Sequence, residues 1–88
     1  MRNIYLVNDG EQHYLSANDE FDAIYTVSKS IYELDDVNQY KYEFEPDIIQ
    51  LNLDEEITYY DEDSNSEIVG LAKYFAINVS GVICSTIY

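Results

Sequence analysis

The sequence predicts a small α+β domain: an antiparallel sheet with one long helix, about residues 19–34, and a short second helix, about 67–77, packed on one face. Three observations carry this prediction. An Asp-Gly turn joins two short apolar strands near the N-terminus, apolar residues recur at three- and four-residue spacing from Phe21, and aromatic and charged residues alternate from Tyr40 to Glu45. At 88 residues the chain is a single domain with room for one modest core.

Asn3 to Val7 reads as a strand, and Asn8-Asp9-Gly10-Glu11 carries the Asp-Gly signature of a tight hairpin turn. Gln12 to Ala17 is the returning strand. Ser16 and Asn18 offer N-caps to a first turn led by Asp19 and Glu20, whose carboxylates favour the positive end of a helix. Phe21, Ile24, Val27, Ile31 and Leu34 then fall on one helical face. Asp35-Asp36-Val37-Asn38 is a polar break. After it, Tyr40-Lys41-Tyr42-Glu43-Phe44-Glu45 reads as a strand with aromatics on one face and charges on the other.

Pro46-Asp47 interrupts the pattern. Ile48 to Leu53 continues extended with Ile49, Leu51 and Leu53 inward, and Ile57 to Tyr60 forms the next strand after the turn Asp54-Glu55-Glu56. Ser64 and Glu67 form a possible capping box, and Ile68, Leu71, Ala72, Phe75, Ala76 and Val79 follow helical spacing. Against a helix, Gly70 costs roughly 1 kcal/mol in a helix interior, and Val69, Tyr74 and Phe75 suit strands. The short helix at about 67–77, followed by a strand from Val82 to Tyr88, is the favoured reading. A long hairpin turning at Val79-Ser80-Gly81 is the alternative.

Charge is the strongest functional signal. Eighteen Asp and Glu against four Lys and Arg give a formal charge of −14, which makes the chain repel itself while creating a long-range negative field. Ten Ile, ten Tyr and seven Asn are not the usual accompaniment of halophilic adaptation. An apolar fraction of 47% and an aromatic fraction of 15% separate the chain from a disordered acidic tail. Direct binding to nucleic acid or to anionic lipid is excluded by the sign of the charge. Without a secretory h-region or an apolar stretch of about 20 residues, a cytoplasmic protein is expected. Cys84, the only cysteine, fits a reducing compartment and a core position in Val82-Ile83-Cys84.

The acid is also polarised. Thirteen of the eighteen carboxylates lie between Glu33 and Glu67, and residues 68–88 contain none. On a strand, Glu43 and Glu45 would point to the same side about 6.6–6.8 Å apart, comparable to the spacing of phosphates along a nucleic-acid strand. Asp47, Asp54-Glu55-Glu56 and Asp61-Glu62-Asp63 would extend the row, with only Lys41 among them to neutralise it. Such a surface attracts a basic groove and speeds association. Ten Tyr supply candidate interface anchors, Tyr59 or Tyr60 foremost.

Other signals carry less. Asp61-x-Asp63-x-Asn65 imitates the start of an EF-hand loop, but Ser66 replaces the required Gly and Ala72 stands where the bidentate Glu belongs. No metal or cofactor is expected. His13 has no second candidate ligand nearby and is read as structural or solvent-exposed. With no nucleophile motif and no phosphate loop, the chain is read as a non-enzyme.

In size, charge, Tyr richness, a single Cys and acids rowed as at Glu43-Phe44-Glu45 and Asp61-Glu62-Asp63, the chain resembles the small acidic inhibitors that bacteriophages carry against host defence. These include anti-CRISPR proteins, anti-restriction proteins and uracil-DNA glycosylase inhibitors. The resemblance implies a DNA mimic, monomeric or a small homo-oligomer, that fills the basic groove of a nucleic-acid enzyme, an RNA-guided nuclease foremost. A small non-enzymatic phage adaptor or structural protein is the rival reading.

Overall fold

A computed structural model describes residues 2–61 and 66–85. Strand β1 (Asn3–Asn8) turns through Asp9 and Gly10 into β2 (Gln12–Ala17), as the Asp-Gly pair predicts. Gly10 supplies the positive φ of the turn, +105°. Helix α1 (Glu20–Thr26) starts at Asp19, whose side chain accepts from the Asp22 N–H, and continues through a π-helical turn, Val27–Ile31. The expected long helix is thus present, ending a few residues early. Buried Ser28 ends it, donating its hydroxyl to the Leu34 carbonyl and accepting the Leu34 N–H at its own carbonyl.

The aromatic and charged alternation after this helix is a helix too, not a strand. α2 (Val37–Phe44) begins at Asp36, whose carboxylate accepts the Asn38 N–H, and ends at Glu45 in the left-handed region, φ +46°. Val37, Tyr40 and Phe44 share its inner face, a spacing that the period-two pattern conceals. Pro46 then prevents the helix from continuing.

β3 (Asp47–Gln50), β4 (Glu56–Asp61) and β5 (Ser66–Leu71) follow. In β3 it is Ile48 that packs inward while Ile49 is exposed, the reverse of the expected register; Leu51 and Leu53 do pack inward. Residues 66–71 are strand, so the second helix, α3 (Ala72–Asn78), begins later than the periodicity suggests, and β6 (Gly81–Ser85) closes the described chain. Ser64, the proposed cap, lies outside the described residues. β-branched Ile68 and Val69 favour extension, and Gly70 disfavours a helix interior. An ideal Cβ on Gly70 would lie 2.9 Å from the Phe75 ring. Gly70→Ala is therefore expected to cost roughly 1–3 kcal/mol through overpacking, read as a lowered midpoint in thermal denaturation.

β3-β1-β2-β6 form one antiparallel sheet, and β4-β5 a separate hairpin. The helices do not share one face of the sheet. Tyr5, Val7, Leu15 and Ala17 face α1 and α2, with Ala23, Ile24, Val27 and Tyr40 in the same cluster. Ile4 faces the other way, into a second cluster with Ile57 of β4 and Ala72, Phe75 and Ala76 of α3. The physical reason is the unbroken run Ile4-Tyr5-Leu6-Val7, which is what a strand covered on both faces requires. Cys84 packs against the second cluster, and burial pushes its thiol up to about 11.

Candidate functional site

β3 is an edge strand, paired with β1 from Asp47 opposite Asn8 to Gln50 opposite Tyr5. The chain enters this edge from α2 and leaves it for β4, so acids lie at both of its ends. At the entering end, Glu43 sits exposed on the last turn of α2, Glu45 caps that helix, and exposed Asp47 opens β3. Gln39 Nε2 donates to Glu43 Oε1 at 3.3 Å. At the leaving end, Asp54 and Glu55 are in a turn held by Asn52, which accepts the Asp54 N–H on its side chain and the Glu55 N–H on its carbonyl, both at 3.0 Å. Exposed Glu56 starts β4.

None of these six carboxylates belongs to an ion pair; among the described residues the one recorded is His13 with Asp9. The remaining sequence-predicted positions fare differently. Tyr59 is half-buried, its ring 6.2 Å from that of Phe75, so it is a packing residue more than an exposed anchor. Tyr60 and Asp61 continue the β4 backbone, but their side chains, together with all of Glu62 and Asp63, lie outside the described residues. The spacing argument for Glu43 and Glu45 as strand neighbours does not survive, because one is helical and the other is the left-handed cap.

Sequence reasoning missed the exposed aromatic of this region. Tyr42, on the outer side of α2 beside Glu43, is 86% exposed. Helical spacing would have found it, since position 42 lies opposite 37, 40 and 44. Phe21, predicted to face the core, is instead exposed on the rim of a cleft of about 550 Å³, whose lining includes Glu20, Val37, Lys41, Glu45 and Pro46.

Beneath α2 lies a second constellation that the sequence did not announce. The Asp9 side chain has 0% exposed surface. It accepts from Tyr40 Oη at 2.6 Å on one oxygen, and from Tyr32 Oη at 3.0 Å and the Glu11 N–H at 3.1 Å on the other. His13, also 0% exposed, sits with Nε2 3.1 Å from Asp9 Oδ2 and Nδ1 2.5 Å from Ser85 Oγ. Burial alone would raise the Asp9 pKa. The hydrogen bonds from Tyr40, Glu11 and Tyr32, with the charge of His13, outweigh it and hold the carboxyl below 3.8. Burial and the same carboxylate push Tyr32 up to about 12 and Tyr40 higher still.

Ser85, His13 and Asp9 are the ingredients of a nucleophile relay, but their setting is that of a clamp. Two tyrosine hydroxyls and a backbone N–H already occupy the carboxylate oxygens, and neither Asp9 nor His13 reaches solvent. What the cluster does is fasten the hairpin turn to Tyr32 at the end of the π-helical turn, to α2 and to β6. It thereby fixes the corner from which Glu43, Glu45 and Asp47 project.

Among the described residues, no group of three or more His, Cys, Asp or Glu is placed to hold a metal ion, and no helix is long and apolar enough to cross a membrane. No protein family, curated protein or solved structure matches this chain.

Proposed function

We propose that this chain is a DNA mimic that inhibits a nucleic-acid-binding enzyme by seating its acidic edge in the enzyme's basic groove. The observation that supports this most is the set of six exposed carboxylates without cationic partners: Glu43 and Glu45 at the end of the helix that leads into edge strand β3, Asp47 at the start of that strand, and Asp54, Glu55 and Glu56 in the turn and strand that follow it. Carboxylates left unpaired on a chain of charge −14 cost stability through mutual repulsion. Lys and Arg aligned for phosphates would relieve that repulsion and gain charge-assisted hydrogen bonds. Tyr42 supplies the exposed aromatic beside the acids, a residue type that anchors interfaces.

The leading target is an RNA-guided nuclease, at the basic region that reads the short duplex motif beside its target, which makes the chain an anti-CRISPR protein acting in the host cytoplasm. Restriction enzymes and DNA glycosylases are the second class of target. The reading involves no catalysis, cofactor or direct contact with nucleic acid.

Titration of guide-loaded nucleases and restriction enzymes in a DNA-binding and cleavage assay, over a salt series, tests the proposal. Inhibition that competes with DNA and weakens at least about tenfold between low and physiological salt is the expected result. Undiminished cleavage at saturating protein, or inhibition indifferent to both DNA and salt, would overturn it in favour of an adaptor that binds through apolar surface.

A further inference from the structure

The geometry points to a second interaction surface, on which two copies of this chain pair through β5 and α3. The hairpin β4-β5 has only two strands, and the outer edge of β5 meets no further strand among the described residues. An open edge is a template for another strand. Beside that edge runs a groove of about 570 Å³ lined by Ile68, Val69, Leu71, Tyr74, Phe75 and Ile77. Val69, Leu71, Tyr74 and Ile77 are each between 48 and 59% exposed.

Charge selects the occupant. Residues 66–85 contain one Glu and one Lys, Glu67 and Lys73, so this segment is neutral on a chain whose formal charge is −14, with Glu56 of β4 across from Leu71 the nearest acid of the partner strand. Two copies meeting through their acidic halves would set carboxylates against carboxylates. Here the segments that meet carry no net charge, and what remains is the long-range repulsion of the two acidic halves.

The sequence is also self-complementary in the antiparallel sense. A two-fold axis at Val69 places Val69 opposite its counterpart and Glu67 opposite Leu71, and brings Lys73 of each copy towards the Glu67 end of the other. The two Glu67 would stand about 13 Å apart along the strands, beyond a Debye length at physiological salt. Each β5 would then lie over Tyr74 and Ile77 of its partner. The result is a continuous four-stranded sheet with β4 of each copy on its outer edge.

Sedimentation equilibrium of the full chain over a concentration and salt series tests this. Dimers are expected with a dissociation constant on the order of 1–10 μM. Added salt should strengthen the association, because it screens the repulsion of two −14 chains. That salt dependence is opposite in sign to the one expected for nuclease inhibition, so either reading can fail alone. Val69→Asp sets two like charges face to face on the axis and should weaken association at least about tenfold. Because Val69 is exposed, the variant should keep its far-UV circular dichroism. A wild-type chain that stays monomeric at about 100 μM, or a folded Val69→Asp variant that dimerises as well as wild type, would overturn the assignment.

Discussion

Asp9→Ala is expected to lose about 3–5 kcal/mol of folding stability, most of what a domain with a total of roughly 5–15 kcal/mol possesses. The reason is asymmetry. With the carboxylate gone, the Tyr40 and Tyr32 hydroxyls and the Glu11 N–H lose their shared acceptor, and His13 loses its neighbour in a place that water does not reach. Tyr40→Phe removes one donor and leaves the anion three partners, so its cost should be near 1.5–3 kcal/mol, the range for a hydrogen bond to a charged group. Urea denaturation followed by circular dichroism orders the two variants. A loss below about 1 kcal/mol for Asp9→Ala would mean that the cluster contributes no more than an exposed pair.

The same carboxylate gives the chain a defined response to acid. Its folded pKa lies below the 3.8 of the free side chain, so its contribution is complete above that value and is lost as pH falls through the folded pKa. The difference in stability between wild type and Asp9→Ala, measured from pH 7 downwards, isolates the buried group and should shrink below pH 3.8. At the alkaline end the sign reverses. Tyr32 and Tyr40 have folded pKa values above their ordinary 10, so their contribution holds below pH 10 and fades as pH rises through the folded values.

Replacing Glu45, Asp47, Asp54, Glu55 and Glu56 with their amides takes the formal charge from −14 to −9. It should reduce affinity for the proposed nuclease target by about 10²- to 10³-fold, which corresponds to roughly 3–4 kcal/mol shared over several charge pairs at an interface. Stability should hold or rise, because none of the five carboxylates is ion-paired and all five are exposed. Calorimetric titration at three salt concentrations checks this. The variant should show a flatter dependence of log Kd on log salt than wild type. Affinity retained at full strength would move the binding surface elsewhere, with Tyr42 and the apolar groove the next places to look.

How much of this was legible depends on whether the cause was local. The first hairpin and α1 were, because Asp9-Gly10 and the apolar spacing from Ile24 to Leu34 act over a few residues. α2 was written in two overlapping periods. Tyr40, Tyr42 and Phe44 alternate as in a strand, while Val37, Tyr40 and Phe44 repeat as in a helix, and what decides between them is Tyr40 reaching Asp9, 31 residues earlier. The Asp36 cap and Pro46 stop were local signs of that helix. The both-faced sheet was equally visible in Ile4-Tyr5-Leu6-Val7, a run too uniformly apolar for a half-wet strand. Exposure of the acids followed from their charge. Burial of Asp9 did not, since in sequence it is indistinguishable from any other turn aspartate.

Asp9 draws its side-chain donors from 4, 23 and 31 residues down the chain, and this has a consequence for biosynthesis. At about 5–20 residues per second, the β1–β2 hairpin leaves the ribosome seconds before Tyr40 does. During that interval the nascent carboxylate keeps its water, and the apolar residues beside it have no lid. α2, with eight residues, is too short to persist on its own before it docks. The first core cluster therefore closes only when the fortieth residue has emerged, and a pause in translation upstream of it would hold the chain open with its hydrophobic half uncovered.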